Sequence, residues 1–266
     1  MQFSRLLCAI ITTVFLLTAC GKHHAENEIY VGTIAGPETE LMQVAKQVAA
    51  DQYKLKIIIV EFNDYSLPNQ ALADGSIDAN MFQHQPYLDA AVKAKKFPIT
   101  TIGKMFIYPM GVYSSKWKEL SQLKDNAIVA LPNDPSNETR ALLLLQQGGL
   151  IKLKPHTTEV VTLNDIAKNP KQLQFKELDA AQLPRVLPDV DVAVINTNFA
   201  LLAGLNPNEN ALLKEAASSP YANVVVARTE DKDSPKFQHL LEALHSEPVL
   251  EKAKILFKNQ AIPAWK

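Results

Sequence analysis

Hydrophobic and polar positions along this chain change period every ten to fifteen residues, and each change marks an element. Ile29 to Ile34 alternates and predicts a strand that stops at Ala35-Gly36-Pro37. From about Glu38 to Ala50 the period is helical: Leu41, Val44, Ala45 and Val48 fall on one stripe. Leu55 to Phe62 is rich in β-branched residues and predicts a strand covered on both faces. After the loop Asn63-Asp64-Tyr65-Ser66, Pro68 opens a short helix that Gly75 closes. Ile77 to Asn80 predicts a strand, Pro86 to Lys95 a helix, and Ile99 to Tyr113 one or two strands broken near Pro109-Met110-Gly111. The order β-α-β-α-β-α-β implies a parallel sheet with helices on both faces.

The same order then starts again. Ala127 to Leu131 predicts a strand, and Asp134-Pro135 opens a helix as N-cap and first helical residue, ending at Gly148-Gly149. Strands follow at Phe175–Leu178 and Val190–Ile195, with helices at Ala180–Leu187 and from Asn196 to Leu202. Tyr221 to Ala227 predicts the last strand, before two helices at about Pro235–Ser246 and Pro248–Phe257. Two α/β lobes joined near Tyr108–Ser115 and again near Tyr221–Arg228 describe a hinge with a central cleft, where ligands bind. One continuous α/β sheet would fit the same pattern.

Composition narrows the function. The chain has 266 residues, 47% hydrophobic and 21% charged, with 27 basic against 28 acidic side chains. A net charge of -1 argues against a general nucleic-acid binder, which needs clustered Lys and Arg. The only long apolar run is Leu6 to Leu16, short for a bilayer span and suited to a secretory signal behind Arg5. It ends in Leu17-Thr18-Ala19-Cys20-Gly21, which resembles the bacterial lipobox. That resemblance implies a signal peptide over residues 1–19, lipid on Cys20, a polar tether over residues 20–28, and residence in the cell envelope, on the periplasmic face in a Gram-negative cell. The other cysteine, Cys8, would be discarded with the signal, so neither a disulfide framework nor a cysteine metal site is expected in the body.

No nucleophile elbow, zinc-protease helix, P-loop or dinucleotide fingerprint occurs, and no catalytic residue is expected. His23 and His24 lie in the tether. His156, His239 and His245 lack neighbours at metal-ligand spacing, so neither a metal nor a cofactor is expected. The carboxylate pairs Asp189/Asp191 and Glu38/Glu40 read as loop and helix-start charges. Binding chemistry is better represented. Only three arginines follow the signal: Arg140, Arg185 and Arg228. Arg140 lies in the helix opened by Asp134-Pro135, where a guanidinium beside a positive helix end can grip a carboxylate; a solvated helix-surface arginine fits equally well. Phe82, His84 and Tyr87 stand at the carboxyl end of a predicted strand, and Tyr65 stands in a loop at the same sheet edge. Asn196 closes a strand, and Asn223 lies in the return crossing; each could simply cap a turn.

Several segments resemble the NlpA lipoprotein family: Phe62-Asn63-Asp64-Tyr65 with Leu67-Pro68-Asn69, Gly75-x-Ile77-Asp78-Ala79-Asn80, Phe82-Gln83-His84-x-Pro86-Tyr87-Leu88, and Asn133-Asp134-Pro135-x-Asn137-x-x-Arg140. Gln182-Leu183-Pro184-Arg185, Ala193-Val194-Ile195-Asn196-Thr197 and Ser219-Pro220-Tyr221-x-Asn223 do so too, and the likeness runs in order from about Ile29 to Trp265. These are the methionine-binding, MetQ-type components of bacterial ABC importers. The resemblance implies an α/β, two-lobed periplasmic-binding-protein-like fold of type II, a Venus flytrap with a hinge. One lobe would be 29–110 with 226–266, the other 111–225. It implies L-methionine or a close analogue as ligand, an ABC permease with its ATPase subunit as partners, and a membrane reached through the lipid anchor. Arg140 would bind the substrate carboxylate, Asn196 and Asn223 the amino-acid head group, and Tyr65, Phe82, His84 and Tyr87 would wall the thioether. Asn198-Phe199 stands where Thr-Tyr is frequent in the family, which bears on ligand preference. Alternative readings are a binder of another small amino acid or a methionyl dipeptide, and a surface lipoprotein acting as an adhesin or interaction partner.

Overall fold

The alternating residues at the start of the body form strand β1 (Glu28–Ile34), and Gly36, at φ 112°, turns the chain into helix α1 (Pro37–Tyr53). That backbone conformation is open to glycine and strained for other residues, and Pro37 then presets the helical φ. The coordinates are a computed structural model that describes residues 27–155, 160–216 and 218–265. Cys8, Cys20, the signal, His23, His24 and His156 lie outside the described residues.

Next come β2 (Lys56–Phe62), α2 (Pro68–Ala73), β3 (Ala79–His84), α3 (Gln85–Lys95) and β4 (Ile99–Ile107). The chain then crosses to β5 (Gly111–Tyr113) and continues as β6 (Ile128–Pro132), α4 (Pro135–Gln147), β7 (Lys152–Leu153), β8 (Ile166–Lys168), β9 (Gln174–Leu178), α5 (Leu183–Val186), β10 (Val192–Ile195), α6 (Thr197–Leu202) and β11 (Ala211–Lys214). It returns as β12 (Ala222–Arg228), followed by α7 (Pro235–Leu244), α8 (Glu247–Leu256) and β13 (Ile262–Pro263).

These strands make two sheets, ordered β13-β4-β12-β3-β1-β2 and β11-β5-β10-β6-β9, with β7 and β8 as a separate pair. Each sheet has its own core. In the first, α1, α7 and α8 bury Leu41, Met42, Phe237, Leu240 and Val249 against one face, while Leu72 of α2 and Leu88 of α3 cover the other. In the second, α4 buries Leu142 and Leu145 against Val129, Val192 and Val194. A further apolar cluster bridges the two sheets: Ile34 and Phe82 from the first meet Tyr113, Ile195 and Phe199 from the second. The architecture is therefore two α/β lobes joined by two crossings.

Four details differ from the sequence pattern. The first sheet is mixed rather than parallel, because β12 enters antiparallel between β3 and β4. β12 pairs along its whole length there, so the expected lobe boundary between 225 and 226 falls inside a strand; the return crossing lies between Lys214 and Ala222. The strand expected at Ile77–Asn80 runs instead from Ala79 to His84 with every residue buried. Polar residues hide its continuation, and their burial is made tolerable by an amide network: Asn69 Nδ2 donates to Gln83 Oε1 at 2.8 Å, and Gln83 Nε2 to Asn80 Oδ1 at 2.9 Å. The helix expected at Ala180–Leu187 splits into a 3₁₀ turn, Ala180–Gln182, and the single turn of α5, since Pro184 supplies no N–H to continue one ladder.

Candidate functional site

The carboxyl end of β3, the start of α1, the start of α4 and the start of α6 converge on a pocket between the sheets. Including its mouth, it holds about 390 Å³ of space between atom surfaces. All seven residues singled out from the sequence line it: Tyr65, Phe82, His84, Tyr87, Arg140, Asn196 and Asn223. Arg185 is exposed, and Arg228 is tied to Asp78, Asp231 and two backbone carbonyls, so Arg140 is the arginine of this pocket. His239 stacks on Tyr53 and His245 on Trp265, both away from it.

One wall is aromatic. Tyr65 lies 5.7 Å from Phe82, 5.8 Å from Tyr87 and 5.0 Å from Phe199 between ring centroids, and Phe82 meets Tyr87 edge-on at 5.7 Å. Tyr87 Oη donates to the Tyr65 carbonyl at 3.0 Å, so the rings lock one another. The wall forms because β3 delivers Phe82 and α3, opened by His84 and Pro86, delivers Tyr87 a turn later.

His84 works as a strut as well as a wall. Its Nδ1 accepts from the Tyr87 backbone N–H at 3.2 Å, which caps α3. Burial, helped by the Arg140 charge, pushes its pKa down to about 3, so the ring is neutral and its single proton sits on Nε2. That proton goes to Asn137 Oδ1 at 3.1 Å, which also accepts from Asn196 Nδ2 at 2.8 Å. Asn137 Nδ2 in turn donates to Asp134, the N-cap of α4. One asparagine thus joins β3 to α4 and α6. The sequence offered it only as a motif position.

Arg140 is 3% exposed and held on three sides. Its Nε and Nη2 donate to Glu215 Oε1 and Oε2 at 2.7 and 2.5 Å, and Nη2 also to the Tyr108 carbonyl at 2.8 Å. Its guanidinium carbon stands 4.6 Å from the centre of the Tyr221 ring. The two-pronged grip therefore goes to a carboxylate of the protein itself, and among the described residues Nη1 has no partner.

Glu38 departs from its reading as a helix-start charge. Glu40 behaves that way, half-exposed and paired with Lys252, but Glu38 is buried in the pocket wall. Asn223 Nδ2 donates to Glu38 Oε1 at 2.7 Å, yet burial outweighs that bond and pushes the carboxyl up to about 8. A glutamate in a first helical turn is ordinarily solvated, so the sequence held no signal for it. Asn198, noted in the sequence only as a departure from the family pattern, and Tyr108, which was missed, line the same pocket; Asn196 Oδ1, Asn198 Oδ1 and the Tyr108 hydroxyl are buried there without partners.

Known proteins place this arrangement in context. The family profile described as NlpA lipoprotein matches residues 29–265. A protein of Salmonella typhi named D-methionine-binding lipoprotein MetQ is 45% identical over 94% of this chain and 93% of its own. The solved structure of a nutrient-binding protein from Burkholderia cenocepacia bound to methionine is 51% identical, with a TM-score of 0.87 over 89% of this chain and 99% of its own. An ABC-transporter periplasmic substrate-binding protein from Coxiella burnetii is 58% identical, with a TM-score of 0.86 over 89% of this chain and all of its own.

Proposed function

The chain belongs to the NlpA lipoprotein family, and from that premise we propose that it captures methionine and delivers it to an ABC importer. It is a substrate-binding protein of the cell envelope and not an enzyme; ATP hydrolysis falls to the importer's ATPase subunit. The observation that carries this reading is the pocket itself, where an aromatic wall faces one buried guanidinium. A methionine side chain suits the wall, because a polarizable thioether gains from the edges of aromatic rings. The carboxylate takes the free Nη1 edge of Arg140, and Asn196 and Asn223 meet the amino-acid head group. The two lobes, 29–110 with the C-terminal segment and 111 to the return crossing, close on the ligand by a hinge at the crossings.

Calorimetric titration with L-methionine, D-methionine, norleucine, lysine and glutamate tests the reading. Methionine should bind best. Norleucine should follow within roughly tenfold, since lost sulfur–aromatic contacts are worth about 0.3–1.5 kcal/mol. Tighter binding of lysine or glutamate would remove methionine as the ligand. The D-methionine arm decides whether this chain shares the stereochemistry in its relative's name.

The anchor is a separate matter. Cys20 in Leu17-Thr18-Ala19-Cys20-Gly21 takes the lipid, which holds the protein to a membrane through several buried acyl chains at about 0.8 kcal/mol per CH₂. Cys20→Ser should leave an uncleaved precursor without lipid, visible by mass spectrometry and by its partitioning in detergent. Wild-type protein soluble in the periplasm with a free Cys20 thiol would rule the anchor out.

A further inference from the structure

The ligand pocket is closed on every side but one. Among the described residues that line it, Tyr65 and Tyr87 alone are half-buried, and the rest, Phe82 and Arg140 included, are buried. The same two tyrosines line a second cavity, between α2, α3 and the start of α4, and no other lining residue is common to both. This outer chamber holds about 920 Å³ of space between atom surfaces, its mouth included. The helix that carries Tyr87 explains the juxtaposition. Ala91 and Ala94 follow Tyr87 at i+4 and i+7 on one stripe of α3, so the face that begins at the ligand pocket continues into the chamber. Phe97 and Leu67, which is 58% exposed, add apolar surface to it. Apolar surface gathered in a concavity favours an apolar occupant. The partition itself is two rings, 5.8 Å apart between centroids and pinned by the bond from Tyr87 Oη to the Tyr65 carbonyl.

We propose that Tyr65 and Tyr87 limit the ligand's side chain to the length of methionine, and that the chamber behind them is a latent subsite for the S-substituent of a longer homocysteine thioether. This deepens the methionine reading and rests on it for the head group and the start of the side chain. A carboxylate on Arg140 sends the side chain towards the aromatic wall, so its tip meets the partition. Further methylenes can go only through the two rings, because every other lining residue is buried. In the intact wall a longer chain must push aside rings that pack on one another and on Phe82, and tightly packed sites resist added methylenes. With the Tyr87 ring removed, the same methylenes reach the apolar surface of the chamber and leave water.

The test is competition calorimetry on the full chain with methionine and S-hexylhomocysteine, which share one head group. Wild type should prefer methionine by roughly thirtyfold or more. Tyr87→Ala opens the partition and leaves the start of α3 intact, because the backbone N–H of residue 87, and not its ring, bonds His84 Nδ1. It should weaken methionine by roughly tenfold and raise the absolute affinity for S-hexylhomocysteine by about tenfold or more, so that the preference reverses. Tyr87→Phe keeps the ring and should keep the preference for methionine. Ala91→Phe, added to Tyr87→Ala, fills the chamber and should take back the gain for S-hexylhomocysteine by a factor that methionine does not share. The partition is refuted if folded Tyr87→Ala gains no absolute affinity for the long thioether, or if Tyr87→Phe gains as much. The chamber is refuted if the folded double variant keeps the gain. Wild type that binds no methionine would retire the methionine reading and the length limit with it, an outcome seen in the first titration and separate from any result with the variants.

Discussion

Arg140→Ala should lower methionine affinity by roughly thirtyfold or more, because removing one member of a desolvated, hydrogen-bonded charge pair costs about 2–5 kcal/mol. The same substitution should also destabilise the fold. Arg140 is 3% exposed and bonded twice to Glu215, itself largely buried, so its loss strands a carboxylate without its cation, at about 3–5 kcal/mol. From the sequence alone, alanine in a helix interior looks harmless; the ion pair reverses that expectation. The two effects separate in the double variant Arg140→Ala/Glu215→Gln, which removes the stranded charge. Stability should largely return while affinity stays low. Arg140→Lys should recover only part of the affinity, since an ammonium lacks the guanidinium's geometry. Arg185→Ala, at an exposed position outside the pocket, serves as the control. Wild-type methionine affinity in the folded double variant would eliminate the carboxylate contact.

Asn137→Ala carries the next largest effect. It leaves the His84 Nε2 proton and Asn196 Nδ2 without their shared acceptor and takes two bonds from Asp134. Each unsatisfied buried donor costs about 1–3 kcal/mol, so the loss should be about 2–5 kcal/mol in all. For a chain of this size that lowers the melting temperature by roughly 5–15 °C. Affinity should fall too, because the Asn196 amide is no longer held in one orientation. Asn133→Ala, four residues upstream on the exposed side of the turn, should melt within about 2 °C of wild type. Equal melting temperatures for the two variants would show that Asn137 is not the joint described here.

Periodicity made most of the elements legible, since a stripe such as Leu41, Val44, Ala45 and Val48 has one physical solution. It did not reveal strand partners. Nothing in Val224-Val225-Val226-Ala227 says that it lies between β3 and β4, because pairing is decided by residues far away in the chain. The hairpin of β7 and β8 and the edge strands β11 and β13 are too short for any period to register. In the pocket, the residues that the family resemblance singled out were legible: Arg140, which its chemistry alone left open, and the aromatic and histidine residues around Pro86. Glu38, Asn198 and Glu215 were not, because an acid or amide near a helix start or in a loop is usually solvated. Only the meeting of two sheets buries them.

The antiparallel entry of β12 also fixes an order of assembly. Every strand of the second sheet comes from one unbroken stretch, Gly111 to Lys214, so that unit can close as soon as its last residues are available. The first sheet cannot. Until Ala222–Arg228 arrives, β3 and β4 have no neighbour in common, and the seam must wait for Asn223 to find His84 across a very long loop. Such distant pairings carry a large closure entropy and slow folding. The first lobe therefore stays open until nearly the whole chain is available, and its last seam is set by a strand from the far end of the sequence.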